Sequence, residues 1–384
     1  MLCRLFGALF AGASVAACDL ADPAAPNRRP TGETTLAIPQ GFEPTALPMA
    51  DYESGVAAAV NDRGDVVGSL LRDGRVRAAL WTGGELVLLQ GLSEDGDSRA
   101  TDVNDVGVIV GSSHDAQGRE RAVRWIDGTP EDLGTLGGEE ATALGINHRG
   151  QIVGVSETEG DLQGFLWEDG TLSALPPGPN AEFAYAEDIN DRGVVVGWSA
   201  GGAVLQDATV WIDGVPTRLP SLAYEAAASA INNRGEIAGG SIPDYQESAR
   251  GVRWVDGEVE DLPTPPEVEF SSANDINERG HIVGFAFGTA VWRGRKFRSV
   301  DTQGQGQGTN LKGDVVGRRE RGPFLWGKRA PDIDRTRPPQ GSPATLPSHA
   351  AAPATAGPLA APSGSALCRE VAIATPGVRA LCGR

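Results

Sequence analysis

The chain is short of the residues that most chemistry needs. It has 4 Cys, 4 His, 2 Met and 4 Tyr in 384 residues. Two Cys (Cys3 and Cys18) lie near the start and two (Cys368 and Cys382) near the end, so the body holds neither a disulfide framework nor a thiolate metal site. The histidines His114, His148, His281 and His349 are scattered, which gives a zinc cluster or a catalytic triad no visible basis. No apolar run after residue 17 approaches the roughly 18 to 20 residues that span a bilayer, and this excludes a polytopic membrane protein. Positive charge is also scarce. With 33 Lys and Arg against 51 Asp and Glu, the net charge of −18 argues against nucleic acid as a partner, because phosphate binding needs a basic footprint. What is abundant is Gly (52) and Pro (26), while a 40% hydrophobic content suffices for a sizeable core.

The first 18 residues, MLCRLFGALFAGASVAAC, place one basic residue before an apolar stretch that ends in small residues, the pattern of a secretory signal. Val15-Ala16-Ala17-Cys18 resembles the bacterial lipobox. That resemblance implies cleavage after residue 17, lipidation of Cys18 and a mature protein held at a membrane surface by acyl chains. Residues 18–39 then read as the lipidated Cys and a Pro-rich tether, 40–330 as the body, and 331–384 as a Pro/Ala-rich tail. The expected location is the periplasm or the cell exterior, membrane-anchored. The tail from Lys328 is net +4 and the body from 40 to 327 is net −22, so the two have opposite signs.

The main signal is internal repetition. An Asn is followed by Gly three residues on and by a second Gly four further, with Asn at Asn61, Asn104, Asn147, Asn190, Asn232, Asn277 and Asn310. The steps between them are 43, 43, 43, 42, 45 and 33 residues. Each copy is followed by a Trp, which uses seven of the eight: Trp81, Trp125, Trp167, Trp211, Trp254, Trp292 and Trp326. One copy reads as four short strands: AEDIN at 186–190, VVVG at 194–197, ATVW at 208–211 and PTRLP at 216–220. Short strands joined by Gly turns indicate all-β structure, and four-stranded units of about 43 residues match the blades of a β-propeller. A linear β-solenoid is the runner-up.

Residues 46–65 parallel 217–235, so an N-terminal strand is expected to complete the last blade and close a seven-bladed ring without an exposed edge. The seventh unit is the weakest, with Thr309 where the others have Ile or Val; six blades plus a degenerate remnant is the alternative. The recurring Asn, Gly and Trp read as structural: Asn bonding turn backbone, Gly permitting tight turns, Trp filling space between sheets.

DLGTLGGEEATALGIN at 132–147, with Gly164-Phe165-Leu166-Trp167, resembles the HAF repeat of bacterial extracellular proteins over about residues 43–327. The resemblance implies export and a repeat fold but no defined reaction. The name-giving His-Ala-Phe is replaced here by Gln163, Gly164 and Phe165.

Gly197-Trp198-Ser199-Ala200-Gly201 matches the nucleophile-elbow pattern, but other copies also place Ser beyond this strand, so Ser199 reads as an ordinary strand exit. Gln303–Gly308 lacks the Lys-Ser/Thr of a phosphate loop. Asp95, Asp97 and Asp102 lack the D-x-D-x-D-G spacing of a calcium loop. No catalytic residue, metal site or cofactor emerges.

In an up-and-down blade the a–b and c–d turns share one face, and the longer b–c loops and d–a crossings share the other. Tyr52, Tyr185, Tyr224 and Tyr245 all fall in the second set, joined by Phe183 and Phe270, and they are the candidate ligand-binding residues. The alternative is that these rings plug loops against the blade ends. The expected function is thus a monomeric, surface-anchored lipoprotein whose propeller binds a protein or glycan without catalysis. The alternatives are an extracellular carbohydrate-active hydrolase or lyase using carboxylates on the loop face, and a purely structural envelope protein.

Overall fold

A computed structural model describes residues 42–327 except 203, 245 and 246. These residues form seven four-stranded antiparallel sheets around a central channel, a seven-bladed β-propeller. We letter the strands of each blade a to d from the channel outward. The seven a strands are Ser54–Val60, Ser98–Val103, Ala141–Ile146, Phe183–Ile189, Glu225–Ile231, Ser272–Ile276 and Gly304–Thr309. Blade 7 takes its d strand from the start of the body. Glu43–Ala46 pairs antiparallel with Gly322–Gly327, in register from Glu43↔Gly327 to Ala46↔Phe324. The solenoid and six-blade alternatives are thereby excluded.

The repeat pattern has a local cause at each position. The first Gly of every copy has φ between 71° and 97°, a turn conformation that costs Gly little and other residues more. The second Gly lies in strand b, as VVVG at 194–197 predicts, but no turn accounts for it: it stands opposite a β-bulge in strand a. The bulge falls three residues before the repeat Asn in every blade, at Glu187 for example, where the register shifts between Ala186 and Asp188. It presses a strand-a carbonyl against strand b, so a Cβ on Gly197 would lie 2.0 Å from the Tyr185 oxygen. In blades 2 to 5 the c–d connections are Asp-Gly turns with both residues at positive φ, such as Asp213 (51°) and Gly214 (75°), as two-residue hairpins favour.

The core is a set of clusters between successive blades. Trp81, Trp125, Trp211, Trp254, Trp292 and Trp326 are fully buried, and Trp167 nearly so. Each of five indoles also donates Nε1–H to a main-chain carbonyl of the preceding blade's outer edge: Trp81 to Pro48, Trp125 to Gln90, Trp211 to Pro176, Trp254 to Pro220 and Trp292 to Pro263, at 2.6–2.8 Å. The Trp thus joins blades by area and by direction together. The strand-a boundaries run earlier than the sequence suggests: Phe183–Ile189 puts Phe183 and Tyr185 inside the strand, where 186–190 was expected.

Candidate functional site

The seven Asn side chains form a closed circle around the channel. Each Nδ2–H donates to the backbone oxygen of the next repeat Asn: Asn61 to Asn104, Asn104 to Asn147, Asn147 to Asn190, Asn190 to Asn232, Asn232 to Asn277, Asn277 to Asn310 and Asn310 back to Asn61, at 2.7–3.2 Å. Each Oδ1 accepts backbone N–H groups of its own turn, as when Asn190 accepts from Arg192 and Val194. All seven are buried. The expectation of turn bonding holds, and the link between blades is additional. A side chain with both a donor and an acceptor is needed for it, which is why Asn and not Asp recurs.

Two residues before each Asn, acidic and small side chains alternate: Asp102, Asp188 and Asp275 in even blades, Gly or Ala in odd ones. Each Asp clamps the next blade. Asp102 Oδ2 accepts from Ile146 N (2.9 Å), Asp188 Oδ2 from Ile231 N (2.8 Å) and Asp275 Oδ2 from Thr309 N (2.7 Å). Their Oδ1 atoms accept from Val103, Ile189 and Ile276. The small residue opposite leaves room: a Cβ on Gly145 would sit 3.1 Å from Asp188 Oδ1.

These three carboxylates and Glu187 line a cavity of about 140 Å³ in the channel, with Thr101 and Asn274. Burial pushes Asp188 up to about 8, helped by the nearby charges of Asp102 and Asp275. Burial also raises Asp275 to about 6 and Glu187 to about 7, the latter against a hydrogen bond from Trp198 Nε1 (2.9 Å). Asp102 is raised for the same reason. Around a narrow channel, ionising one carboxylate makes the next harder to ionise. Sequence reading missed this cluster. Its signal was present in the alternation before the Asn, but only the bulge turns those residues toward the axis.

The candidate aromatic residues divide. Tyr185 stacks on Trp198 at 4.2 Å and 9°, and Phe183 meets the same indole edge-on at 6.3 Å. With Phe270 these rings pack partly buried against Ala227, Ile242 and Ala249, so three of the six share one cluster. Tyr52 lies apart, with the Arg72 guanidinium 5.3 Å from its centroid. Tyr224 is 42% exposed, and Tyr245 lies outside the described residues. Phe287, on a b–c connection, and Leu162 and Leu205, at the starts of c strands, are also exposed. A loop-face cavity of about 420 Å³ is lined by Glu157, Glu159, Asp161, Leu162 and Phe183.

Ser199 is fully buried within a strand–loop–strand connection, accepting from Gly178 N (3.0 Å) and Thr209 Oγ1 (3.0 Å). Ser113, Ser156 and Ser241 accept the N–H of Leu92, Leu136 and Leu222 in the same way, so this Ser secures the crossing into its blade. Asp95 pairs with Arg75, Asp97 accepts from Val76 N and Asp102 lies in the channel, so these three do not converge. Among the described residues no group of three or more His, Cys, Asp or Glu is placed to hold a metal ion. Cys18, the tether and the tail lie outside the described residues.

No family model matches the chain, and no curated protein does. Among solved structures, the chain is similar to the β-propeller domain of the Trilobed protease from Pyrococcus furiosus, described as having an open velcro topology. The identity is 12% and the TM-score 0.50, over 71% of this chain and 96% of that one. TolB from Acinetobacter baumannii is 12% identical at a TM-score of 0.43, over 72% of this chain and 64% of that one. A gluconolactonase from Xanthomonas campestris is 12% identical at 0.40, over 78% and 94%. Likeness at this identity speaks for the fold alone.

Proposed function

We propose that this chain is an exported lipoprotein, anchored through Cys18, whose propeller is a non-catalytic binding module with the loop face as its recognition surface. One observation carries the non-catalytic part: both oxygens of each channel Asp accept main-chain N–H groups, so the carboxylates are fixed as clamps between blades. The channel cavity of about 140 Å³ is also small beside the roughly 300–1,000 Å³ of ordinary small-molecule sites. Geometry gives the recognition surface an orientation. The closing strand Glu43–Ala46 runs antiparallel to Gly322–Gly327, so the chain enters the ring on the turn face. A tether from Cys18 therefore joins the disc on the face opposite the loops.

The hydrolase reading has one observation in its favour, since Glu187 is poised near 7 and a carboxylic acid there could donate a proton at neutral pH. A single experiment separates the readings. The full chain carrying Cys18→Ala is presented to glycan and protein arrays, and any glycan bound is assayed for cleavage. Saturable binding without cleavage is expected. Cleavage abolished by Glu187→Gln establishes the hydrolase instead, and no saturable binder leaves the structural role. Radiolabelled palmitate incorporated by the native chain but not by Cys18→Ala tests the anchor.

A further inference from the structure

The loop face of blades 3 to 5 is predominantly acidic, and Arg250, at the loop end of blade 5's c strand, is paired with Glu247 and Asp261. Its connections expose Glu139, Glu140, Glu159, Asp161 and Glu182. Between residues 134 and 249 three of the four Lys/Arg, Arg149, Arg192 and Arg234, sit on a–b turns at the opposite face; the fourth, Arg218, is paired with Asp207 at 2.9 Å. Apolar groups stand in the same region: Leu162, Leu205 and Tyr224 are exposed by 37%, 61% and 42%.

Two buried polar groups add a more specific demand. Glu225, the first residue of its a strand, is 7% exposed, and among the described residues its carboxylate has no hydrogen-bond or ion-pair partner. Burial pushes that carboxyl up from its ordinary range. Gln206, near the loop end of the c strand Val204–Ile212 of blade 4, is 5% exposed and its Nε2 has no partner among the described residues. The two strands pack on one another across the blade 4–blade 5 junction. The Glu225 carboxylate is free to take a cation, and the buried Gln206 amide donor without an acceptor costs stability unless a ligand completes it. A basic peptide segment supplies both, an Arg or Lys head for Glu225 and main-chain carbonyls for Gln206 Nε2.

The chain itself carries such a segment. After the Pro/Ala-rich stretch 338–366, the last 18 residues hold Arg369, Arg379 and Arg384 against one acid, Glu370, with Leu367, Val371, Ile373, Val378 and Leu381 between them. Arg369 lies 42 residues beyond Gly327, a reach of at most about 150 Å. The a strands span only about 25 Å from one face to the other, so the distance around the ring is no obstacle.

We propose that residues 367–384 dock in cis on the loop face of blades 3 to 5, with Glu225 and Gln206 as the polar contacts and Leu205 and Tyr224 as the apolar ones. This rests on the loop face being the recognition surface, and it makes the tail an internal competitor for the external ligand.

The native cysteines provide the test. In the full chain carrying Cys3→Ala and Cys18→Ala, Cys368 and Cys382 are the only thiols, and a benzophenone maleimide on them is irradiated at micromolar concentration. Cross-links are expected within the same molecule, concentrated in 134–140, 158–162, 204–207 and 219–226. Their yield should fall about five-fold between low and high salt and by a similar factor in Arg379→Glu. Glu225→Gln, an isosteric change that removes a buried charge, should lower the yield while preserving or raising the melting temperature; Tyr224→Ala, at an exposed position, gives a second variant. Cross-links on the turn face, cross-links between copies, or a yield indifferent to salt and to all three substitutions overturn the proposal. An array ligand found alongside misplaced cross-links removes this inference and leaves the recognition surface standing. Loop-face cross-links without any array ligand do the reverse.

Discussion

The two faces of the disc are built from the same strands but obey different rules. On the turn face every connection repeats: Asn accepts its own turn, reaches the next blade and completes a seven-membered circle. On the loop face no two connections are alike, and charge and exposed aliphatics gather over blades 3 to 5. A repeat residue on the turn face has six equivalents and answers to its neighbouring blades; beyond the Ser that secures the crossing in blades 2 to 5, a residue on the loop face has none and is constrained mainly by what it meets. Substitutions should therefore cost stability on one face and binding on the other.

The sharpest way to break the turn-face rule is to open the circle. Deleting residues 43–46 removes the antiparallel pairing that completes blade 7 and exposes the edge of Gly322–Gly327. We expect loss of a single cooperative transition, or a fall in melting temperature exceeding about 10 °C, read by circular dichroism. Next in size is Trp211→Ala, which empties a fully buried site and leaves the Pro176 carbonyl unpartnered; about 3–5 kcal/mol should be lost in chemical denaturation. Asn190→Ala removes the donor to Asn232 and the acceptor for Arg192 and Val194, and should cost about 2–4 kcal/mol. Asn190→Asp should recover little, because it keeps the turn bonds but turns a carboxylate oxygen toward the Asn232 carbonyl.

This contrast also explains what could be read in advance. The seven blades, the N-terminal closure and the buried indoles were legible because repetition reports geometry imposed seven times. The alternation of Asp102, Asp188 and Asp275 with Gly and Ala was equally visible in the letters, but its meaning depends on the bulge, which is a relation between strands and leaves no periodic mark of its own. The second Gly falls in strand b as expected, but the need for Gly there comes from the same bulge, through a carbonyl 2.0 Å from where its Cβ would be. On the loop face, the sequence places Tyr185 in a crossing and starts strand a at 186; the strand begins at Phe183, so Tyr185 stacks on Trp198 from within it.

The channel lies between the faces and supplies a pH dependence of modest size. Asp188, Asp275 and Glu187 are raised to about 8, 6 and 7, so the folded chain binds protons that the unfolded chain, with carboxyls near 4, has released. Stability is therefore fully present below about pH 4, as far as these groups are concerned, and declines as pH rises toward 8. Melting temperature should be higher at pH 5 than at pH 8.5. Asp188→Asn should lower it at pH 5, since an amide nitrogen then faces a main-chain N–H, and should flatten the slope between the two pH values.

The smallest expected change in stability is the one that decides whether the faces differ as argued. Leu205 and Tyr224 are exposed by 61% and 42%, so Leu205→Ser and Tyr224→Ala should each shift the unfolding free energy by no more than about 0.5 kcal/mol. If the loop face recognises a ligand, the same two substitutions should weaken it about ten-fold or more, since ordered apolar groups near the centre of a contact carry a large share of its energy. Turn-face substitutions of equal exposure, such as Val106→Ser at 59%, should leave that affinity unchanged in the same titration. Equal losses from Val106→Ser and Leu205→Ser would mean that exposure alone governs binding, and the division between a repeated scaffold and an unrepeated recognition surface would fail.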